Sequence, residues 1–265
     1  MPSVRLTEAL KREYASLFQT MQIRTDKLNL ISPIITKITN NKERYEAVGN
    51  LLNIPWYFIA AIHSMESGLR FDRHLHNGDP LTARTVHVPA GRPVDGNPPF
   101  TWEASAVDSL KFSGLHRWRD WTIPGLLYKL EAYNGFGYRT RHPEVLSPYL
   151  WSFSNHYSRG KYVADGRWSD SAVSRQCGAA VILRRLSEKG IVTFANEPDS
   201  FDANKPFLRY SKKEIKYARD LQIFLNQFPG VHLLVDGKPG DRTSAAFKKM
   251  TGYYLKGDKR NDVVD

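Results

Sequence analysis

Glu66 is the residue whose position most clearly predicts chemistry. It comes near the end of an apolar helical pattern, in which Ile59, Ile62 and Met65 recur at helical spacing, and Gly68 is a fitting stop signal. A carboxyl group in the last turn of a buried helix lies among carbonyls that disfavour its negative charge, so the pKa of Glu66 is predicted to rise. A glutamic acid that stays protonated near neutral pH is the general acid that glycoside cleavage requires. The alternative is a solvated or ion-paired carboxylate, which is the commoner fate of a helix-end glutamate.

The elements that must position Glu66 are predicted to be mainly helical. Asn53 is expected to cap the first turn of the Glu66 helix, and Pro55 suits its first positions, where a missing N–H costs nothing. Helical spacing is also present elsewhere, over residues 2–30, in a polar stretch up to residue 52, and over 104–112, 124–133 and 171–187. The segment 74–102 is rich in Gly and Pro and is predicted to be a long functional loop that forms cleft walls.

Two short motifs carry a family resemblance. Glu66-Ser67 follows the apolar helix, and Tyr133-Asn134-Gly135 comes well downstream. In type, order and separation they resemble the Glu-Ser pair and the Tyr-Asn-Gly-like segment of the goose-type lysozyme and soluble lytic transglycosylase superfamily. The resemblance covers roughly residues 54–186 and implies a lysozyme-like helical domain that cuts the β-1,4 bond between MurNAc and GlcNAc, with Glu66 as the acid. It also implies that the other four motif residues shape the sugar site, with the Tyr133 hydroxyl directed toward the acid; a helix end capped through Gly135 is the alternative.

Asp79 is the candidate for a second catalytic carboxylate. It lies thirteen residues beyond Glu66, a spacing similar to that of an auxiliary aspartate in goose-type lysozymes, and Asp95 and Asp72 stand behind it as candidates. A base at this position would activate water and make the chain a muramidase, which is the reaction we expect from the sequence. Asp79 also belongs to a Gly-Asp-Pro turn, so a turn residue is an equal alternative. Without a base, the muramyl C6 hydroxyl would close onto C1, and the chain would be a lytic transglycosylase that gives 1,6-anhydroMurNAc products.

Two of the six tryptophans are predicted to stack on sugar rings. Trp151 and Trp168 lie in a polar, Gly-punctuated stretch that is expected to be loop-like. Aromatic side chains are otherwise more often part of a core.

The C-terminal part of the chain is predicted to be a separate small module. Residues 196–209 are polar and Pro-punctuated, as a linker would be. Beyond them the chain resembles the type 1 peptidoglycan-binding domain, a three-helix module, and the matching positions proposed for wall binding are Leu221, Gln222, Asp236, Gly237, Gly240 and Thr243. The whole arrangement is similar to a modular phage endolysin: a catalytic domain at 1–195, a linker at 196–209 and a peptidoglycan-binding domain at 210–265.

Composition narrows the class of partner. The net charge of +11 indicates an anionic partner, and because no nucleic-acid-binding motif accompanies it, bacterial peptidoglycan is expected rather than DNA or RNA. The single cysteine, Cys177, excludes an intramolecular disulfide and any Cys-rich zinc site. The N-terminus lacks the apolar core of a signal peptide, and no run is long enough for a membrane span. We therefore expect a monomer without a cofactor, made in the host cytoplasm and acting in the periplasm after release through a holin or delivery by a secretion machine.

Two other function classes stay open at this point. The histidines near Glu66 and Asp79 could form a zinc peptidase site, but no His-Glu-x-x-His signature is present, and we expect no metal; these histidines are His63, His74, His76 and His87. A non-catalytic adaptor that only binds the wall is the other alternative, and the Glu66-Ser67 pair argues against it.

Overall fold

The computed structural model describes residues 4–164, 166–194, 208–215 and 217–261. The chain divides into two compact units, Met1–Glu197 and Pro198–Asp265. Most of the linker predicted at 196–209 lies outside the described residues. Among the described residues, no helix is long and apolar enough to cross a membrane.

The described residues are about half helical with very little strand, so the prediction of a mainly α fold is confirmed. Three single-turn 3-10 helices occur at Thr25–Lys27, Leu115–Arg117 and Lys259–Asn261. The α-helices and the two strands have these bounds: α1 Glu8–Thr20, α2 Leu28–Asn40, α3 Lys42–Leu52, α4 Trp56–Ser67, α5 Trp102–Phe112, α6 Ile123–Asn134, α7 Gly137–Arg141, α8 Pro148–Trp151, β1 Lys161–Ala164, β2 Arg167–Ser169, α9 Ala179–Glu188, α10 Ala218–Leu225 and α11 Asp241–Thr251. The two strands pair antiparallel, with Tyr162 opposite Trp168.

The first unit is built around α4. Every residue of α4 from Phe58 to Met65 is buried, because this helix is apolar on nearly all sides and must be surrounded by other elements. Helices α3 and α9 pack directly against it, α9 also contacts α2 and α8, and α1 packs on α6. A helix held on several sides is a rigid support for Glu66 in its last turn.

Three helix boundaries predicted from the sequence are wrong: the end of the first helix, the cap of α4 and the start of α9. The predicted helix over 2–30 ends at Thr20, because Ile23 pairs with Ser154 and the Arg24 N–H donates to the Phe153 carbonyl. Asn53 does not cap α4: it ends α3 in a left-handed conformation with φ 55°, and α4 begins at Trp56.

The helix predicted over 171–187 begins only at Ala179. The preceding backbone is used by other parts of the unit, since the N–H of Gly178 donates to Ser152 and that of Ser174 donates to the Tyr157 hydroxyl. A Cβ on Gly178 would stand 2.2 Å from the Leu150 carbonyl oxygen, so only glycine permits this approach.

The second unit has α10 and α11 as its packed pair. Within the described residues it contains these two α-helices and one 3-10 turn rather than three α-helices. Its core includes the buried Ala218, Leu225, Val231 and Leu255.

Candidate active site

Glu66 lies in the last turn of α4, which ends at Gly68 with φ 59°. The side chain is half-buried, and its Oε1 accepts a hydrogen bond from the Tyr149 hydroxyl at 2.8 Å. Burial raises the pKa of Glu66, while the hydrogen bond from Tyr149 opposes the rise. The predicted direction of the pKa is therefore confirmed, and its main cause is desolvation.

Tyr149 and Tyr133 form the polar surroundings of this carboxyl group. Burial raises the pKa of both phenols, and the neighbouring negative charge of Glu66 adds to both increases. The Tyr133 hydroxyl points to Ser109 Oγ at 3.3 Å and the Leu75 carbonyl at 3.5 Å. The hydrogen bond to the acid that the sequence assigned to Tyr133 therefore comes from Tyr149.

Two clefts border these tyrosines. The larger, of about 530 Å³, is lined by Tyr149 together with Asn134, Gly135 and Gln176. The smaller, of about 290 Å³, includes Tyr133 in its lining. Glu66 is therefore connected to the larger cleft through its hydrogen bond with Tyr149.

Asn134 and Gly135 mark the end of α6. Both are exposed, and Gly135 has φ 80°, a left-handed value that favours glycine. Both residues line the larger cleft, and their role in sugar binding stays a prediction. Ser67 is different, because its hydroxyl turns back to the His63 carbonyl of its own helix at 3.4 Å.

Gln176, like Tyr149, belongs to the site although no sequence motif marks it. Its Nε2 donates to the carbonyl of Met65 at 2.8 Å and to that of Ser64 at 3.4 Å. These contacts satisfy backbone acceptors in the last turn of α4, next to Glu66, and attach the segment before α9 to the site.

Asp79 is also removed from solvent, with 6% of its surface exposed, but its environment is different. Burial acts to raise its pKa, yet hydrogen bonds from the backbone and ring of His87 and from the backbone of Val86 outweigh it and lower the pKa to about 2. Oδ2 accepts from the N–H groups of Val86 and His87 at 2.8 and 3.0 Å, and Oδ1 lies 2.6 Å from His87 Nδ1. Asp79 thus anchors the loop around residues 85–87.

Asp72 and Asp95, the other two candidates for the second carboxylate, are both exposed to solvent. Asp72 forms an exposed ion pair with Arg70 at 2.7 Å, and Asp95 is exposed in the Gly- and Pro-rich segment.

Three of the histidines considered for a zinc site each contact a different polar side chain. His63 contacts the Tyr45 hydroxyl at 2.9 Å, His74 contacts Ser105 Oγ at 2.8 Å, and His76 pairs with Asp108 at 2.8 Å. In the part of the chain that the structure describes, no group of three His, Cys, Asp or Glu side chains is arranged to hold a metal ion.

No protein-family model, curated protein or solved structure matches this chain. The superfamily resemblance therefore rests on the quoted motifs, and functional inference rests on the geometry of the site.

The predicted tryptophan platforms have different outcomes. Trp151 is only 1% exposed and packs in the core against His156, so it has no open ring face for a sugar and does not belong to the site. Trp168 is half-buried on β2, where one face stacks on His142 at 3.5 Å and its Nε1 donates to Asp170 at 2.6 Å. Its role in sugar stacking stays a prediction.

Two residues assigned to wall binding are framework residues instead. Gln222 and Thr243 are 1% and 3% exposed. The Gln222 side chain donates to Asp236 Oδ1 at 2.9 Å and Thr243 Oγ1 at 3.2 Å, and accepts from the Gly237 N–H at 2.9 Å. Such buried networks hold a turn in place. Leu221 is half-buried on α10, and Gly240 precedes α11 as its N-cap.

Proposed function

We propose that this chain is a peptidoglycan glycosidase that cleaves the β-1,4 bond between MurNAc and GlcNAc. The observation that carries the proposal is the Glu66 carboxyl, which is desolvated, has a raised pKa and lies beside tyrosines that line two clefts. Such a group holds its proton at a higher pH than an exposed glutamate and releases it to a leaving oxygen.

The proposed reaction begins with proton transfer from Glu66 to the glycosidic oxygen. The bond between this oxygen and C1 breaks, the GlcNAc end leaves as an alcohol, and Glu66 becomes a carboxylate. The positive charge that develops at C1 and the ring oxygen is then neutralised by a nucleophile. In a muramidase the nucleophile is water, whose proton passes to a second carboxylate, and Asp79 is the candidate proposed for that role.

A lytic transglycosylase is the second candidate, and the bonding at Asp79 favours it. A carboxylate with a pKa of about 2 is a weak base, and both of its oxygens already accept hydrogen bonds from the 86–87 loop. In this reaction the C6 hydroxyl of the muramyl residue attacks C1, and its proton passes to the Glu66 carboxylate. The product is a 1,6-anhydro sugar, and no second carboxylate is required.

For the second unit we propose anchoring to the wall. Exposed apolar side chains on it include Ile223 and Phe224 on α10, and Leu234 and Tyr253 in the loops, with exposures of 50–78%. Ile223 and Phe224 are consecutive on α10, and the proposal is that they contact the wall, since contiguous exposed apolar surface marks interaction sites. The whole chain has a net charge of +11, which complements an anionic wall.

Mass spectrometry of the fragments released from purified sacculi tests the reaction. Reducing muramyl ends indicate hydrolysis, and anhydromuramyl ends indicate transglycosylation; fragments cut only within the peptides would contradict both.

Sedimentation with sacculi tests the anchoring. The inactive Glu66→Gln chain is expected to pellet with sacculi, and the same chain ending at residue 194 is expected to pellet less. Equal pelleting of the two would remove the anchoring proposal and leave the catalytic one intact.

A further inference from the structure

A third cleft in the first unit has a volume of about 560 Å³ and is lined by three cationic side chains, Arg24, Lys27 and Arg175. No carboxylate is among its described lining residues. Asp26, which is outside the lining, pairs with Arg24 at 2.9 Å and with Lys27 at 3.2 Å. Arg175 is exposed and forms no ion pair within the part of the chain that the structure describes. The cleft therefore has an excess of positive charge, which attracts anions.

The walls of this cleft are held together by hydrogen bonds between distant parts of the chain. The N–H of Ser174 donates to the Tyr157 hydroxyl at 3.1 Å, and the Ser152 hydroxyl donates to the Ser174 carbonyl at 3.5 Å. The N–H of Arg24 donates to the carbonyl of Phe153 at 3.0 Å. Because the segments of the lining are joined before a ligand arrives, less ordering is required on binding.

Phe153 has an unusual backbone conformation in this lining. It is buried and has φ 75°, a left-handed value that a bulky side chain rarely adopts. Such a conformation costs energy and persists only where the surrounding structure enforces it, which is common at ligand-binding positions. The Lys27 ammonium lies over the Phe153 ring, 5.7 Å from its centroid, so this residue supports one of the cations of the cleft.

The cleft also has exposed aliphatic surface. Leu30 and Val173 belong to its lining and are 54% and 52% exposed, whereas its two aromatic residues, Phe153 and Tyr157, are only 6% exposed. Open aromatic faces that stack on a base or a sugar ring are therefore missing from the described lining, and an aliphatic chain is the apolar group that Leu30 and Val173 can cover. A ligand that matches both features carries a negative charge next to an aliphatic chain.

We propose that this cleft binds the head group of an anionic phospholipid. The phosphate contacts Lys27 and Arg175, and the first methylene groups of the acyl chains lie on Leu30 and Val173. Hydrogen bonds from these cations to phosphate are charge-assisted, and a guanidinium can bind two phosphate oxygens at once. A volume of about 560 Å³ is that of a small-ligand site. Such a site would hold the first unit at an anionic lipid surface, a property that goes beyond the proposed glycosidase activity.

Isothermal titration calorimetry of the full chain with soluble lipids tests this site. The probe is dihexanoyl phosphatidylglycerol below the concentration at which it forms micelles. Of two comparison ligands, dihexanoyl phosphatidylcholine adds a cation to the head group, and glycerol 3-phosphate lacks the acyl chains. Both are expected to bind at least about tenfold more weakly, because the first loses its net negative charge and the second loses its apolar contacts.

A pair of charge-matched variants tests the position of the site. Lys27→Gln/Arg175→Gln should raise the Kd for phosphatidylglycerol by about tenfold or more, since two charge-assisted contacts are lost. The control variant Arg12→Gln/Lys189→Gln removes the same net charge from two exposed cations outside the described lining and should leave the Kd unchanged. The control therefore separates a local site from general attraction by the basic chain.

A further variant, Leu30→Asn/Val173→Asn, should weaken binding of phosphatidylglycerol and leave the affinity for glycerol 3-phosphate unchanged. Absence of binding by the wild type, equal affinity for phosphatidylcholine, or an equal loss in the control variant would overturn the lipid site. If glycerol 3-phosphate binds as tightly as the lipid, the ligand is free phosphate and the lipid assignment is wrong. Tighter binding of an acidic peptide with aliphatic side chains would assign the cleft to a protein partner instead. Calorimetry needs no cleavage, so these results and those on the glycosidase are independent.

Discussion

Glu66 and Asp79 are two carboxyl groups of the same unit, both withdrawn from solvent, yet their pKa values move in opposite directions. Glu66 receives a hydrogen bond from one phenol, and burial raises its pKa. Asp79 receives hydrogen bonds from two backbone N–H groups and an imidazole, and its pKa falls to about 2. The number and kind of hydrogen-bond donors, rather than burial alone, decide which carboxyl keeps a proton.

Because their pKa values move in opposite directions, Glu66 and Asp79 are suited to different chemical roles. A carboxyl that retains its proton is suited to donate it, and pairs of groups whose environments separate their pKa values are typical of acid and base assignments. Both oxygens of the anionic Asp79, however, already accept hydrogen bonds from Val86 and His87. Substitutions at Glu66, Asp79 and Tyr149 therefore test whether these hydrogen bonds set the two pKa values.

The largest expected effect is on catalysis by Glu66→Gln. An amide cannot donate the proton to the leaving oxygen, so clearance of a sacculus suspension should fall by about 10²–10⁴-fold or more. Circular dichroism should show an unchanged fold. Glu46→Gln is the matched control, because it removes a carboxylate from a helical ion pair with Lys42 on α3, and it should keep full activity.

Asp79→Asn should affect stability more than catalysis. The neutral side chain replaces a charged acceptor for the N–H groups of Val86 and His87, and the loss is expected to lower the free energy of unfolding by about 1–3 kcal/mol. We expect kcat/KM to fall by less than about tenfold, a loss smaller than that on removal of a general base.

The control for this variant is Asp95→Asn, an exposed aspartate of the same Gly- and Pro-rich segment, which should change neither quantity. A fall in kcat of about 10²-fold or more, with unchanged stability, would instead identify Asp79 as the base. That result would assign the chain to the muramidases.

Tyr149→Phe should move the pH profile rather than abolish activity. The hydrogen bond from Tyr149 lowers the pKa of Glu66, so its removal raises that pKa further. The acid works only in its protonated form, and the fall of kcat at high pH should therefore shift to higher pH. Tyr133→Phe is the matched control, because the Tyr133 hydroxyl contacts Ser109 and the Leu75 carbonyl instead of Glu66. In this variant the high-pH limb should shift less than in Tyr149→Phe. A shift of the limb to lower pH in Tyr149→Phe would contradict the assignment.

The smallest expected effect is on the pH dependence of stability. The folded-state pKa of Glu66 lies above its unfolded value, so its contribution to stability is fully present below the unfolded pKa and is lost as pH rises through the folded pKa. Glu66→Gln cannot ionise and avoids this loss. Its Tm should exceed that of the wild type by about 1–3 °C at pH 8 and match it at pH 4. A lower Tm for the variant at pH 8 would indicate that the ionised carboxylate stabilises the fold.

Local features of the site were predictable from the sequence. The apolar pattern before Gly68 placed Glu66 in the last turn of a buried helix, and the pattern ending at Tyr133-Asn134-Gly135 placed the end of α6 to within one residue. Both depend on neighbouring residues, whose periodicity and stop signals are visible in the sequence.

The features that were not predictable arise from distant pairings. Tyr149 meets Glu66 across 83 positions of the chain, and Gln176 meets Met65 across 111. Patterns among neighbouring residues do not predict contacts between residues so far apart in the chain. The burial of Trp151 is not predictable for the same reason, because its neighbours in the sequence are polar and the elements that bury it are distant in the chain.

The proton-donor role of Glu66 is tested most directly by the mass spectrum of muropeptides released from sacculi by the wild-type chain and by folded Glu66→Gln at equal concentration. We predict that the wild-type digest contains glycan fragments ending in MurNAc, as either reducing or 1,6-anhydro ends, and that these fragments disappear with Glu66→Gln. Equal amounts of them from both proteins would contradict the assignment of Glu66 as the proton donor.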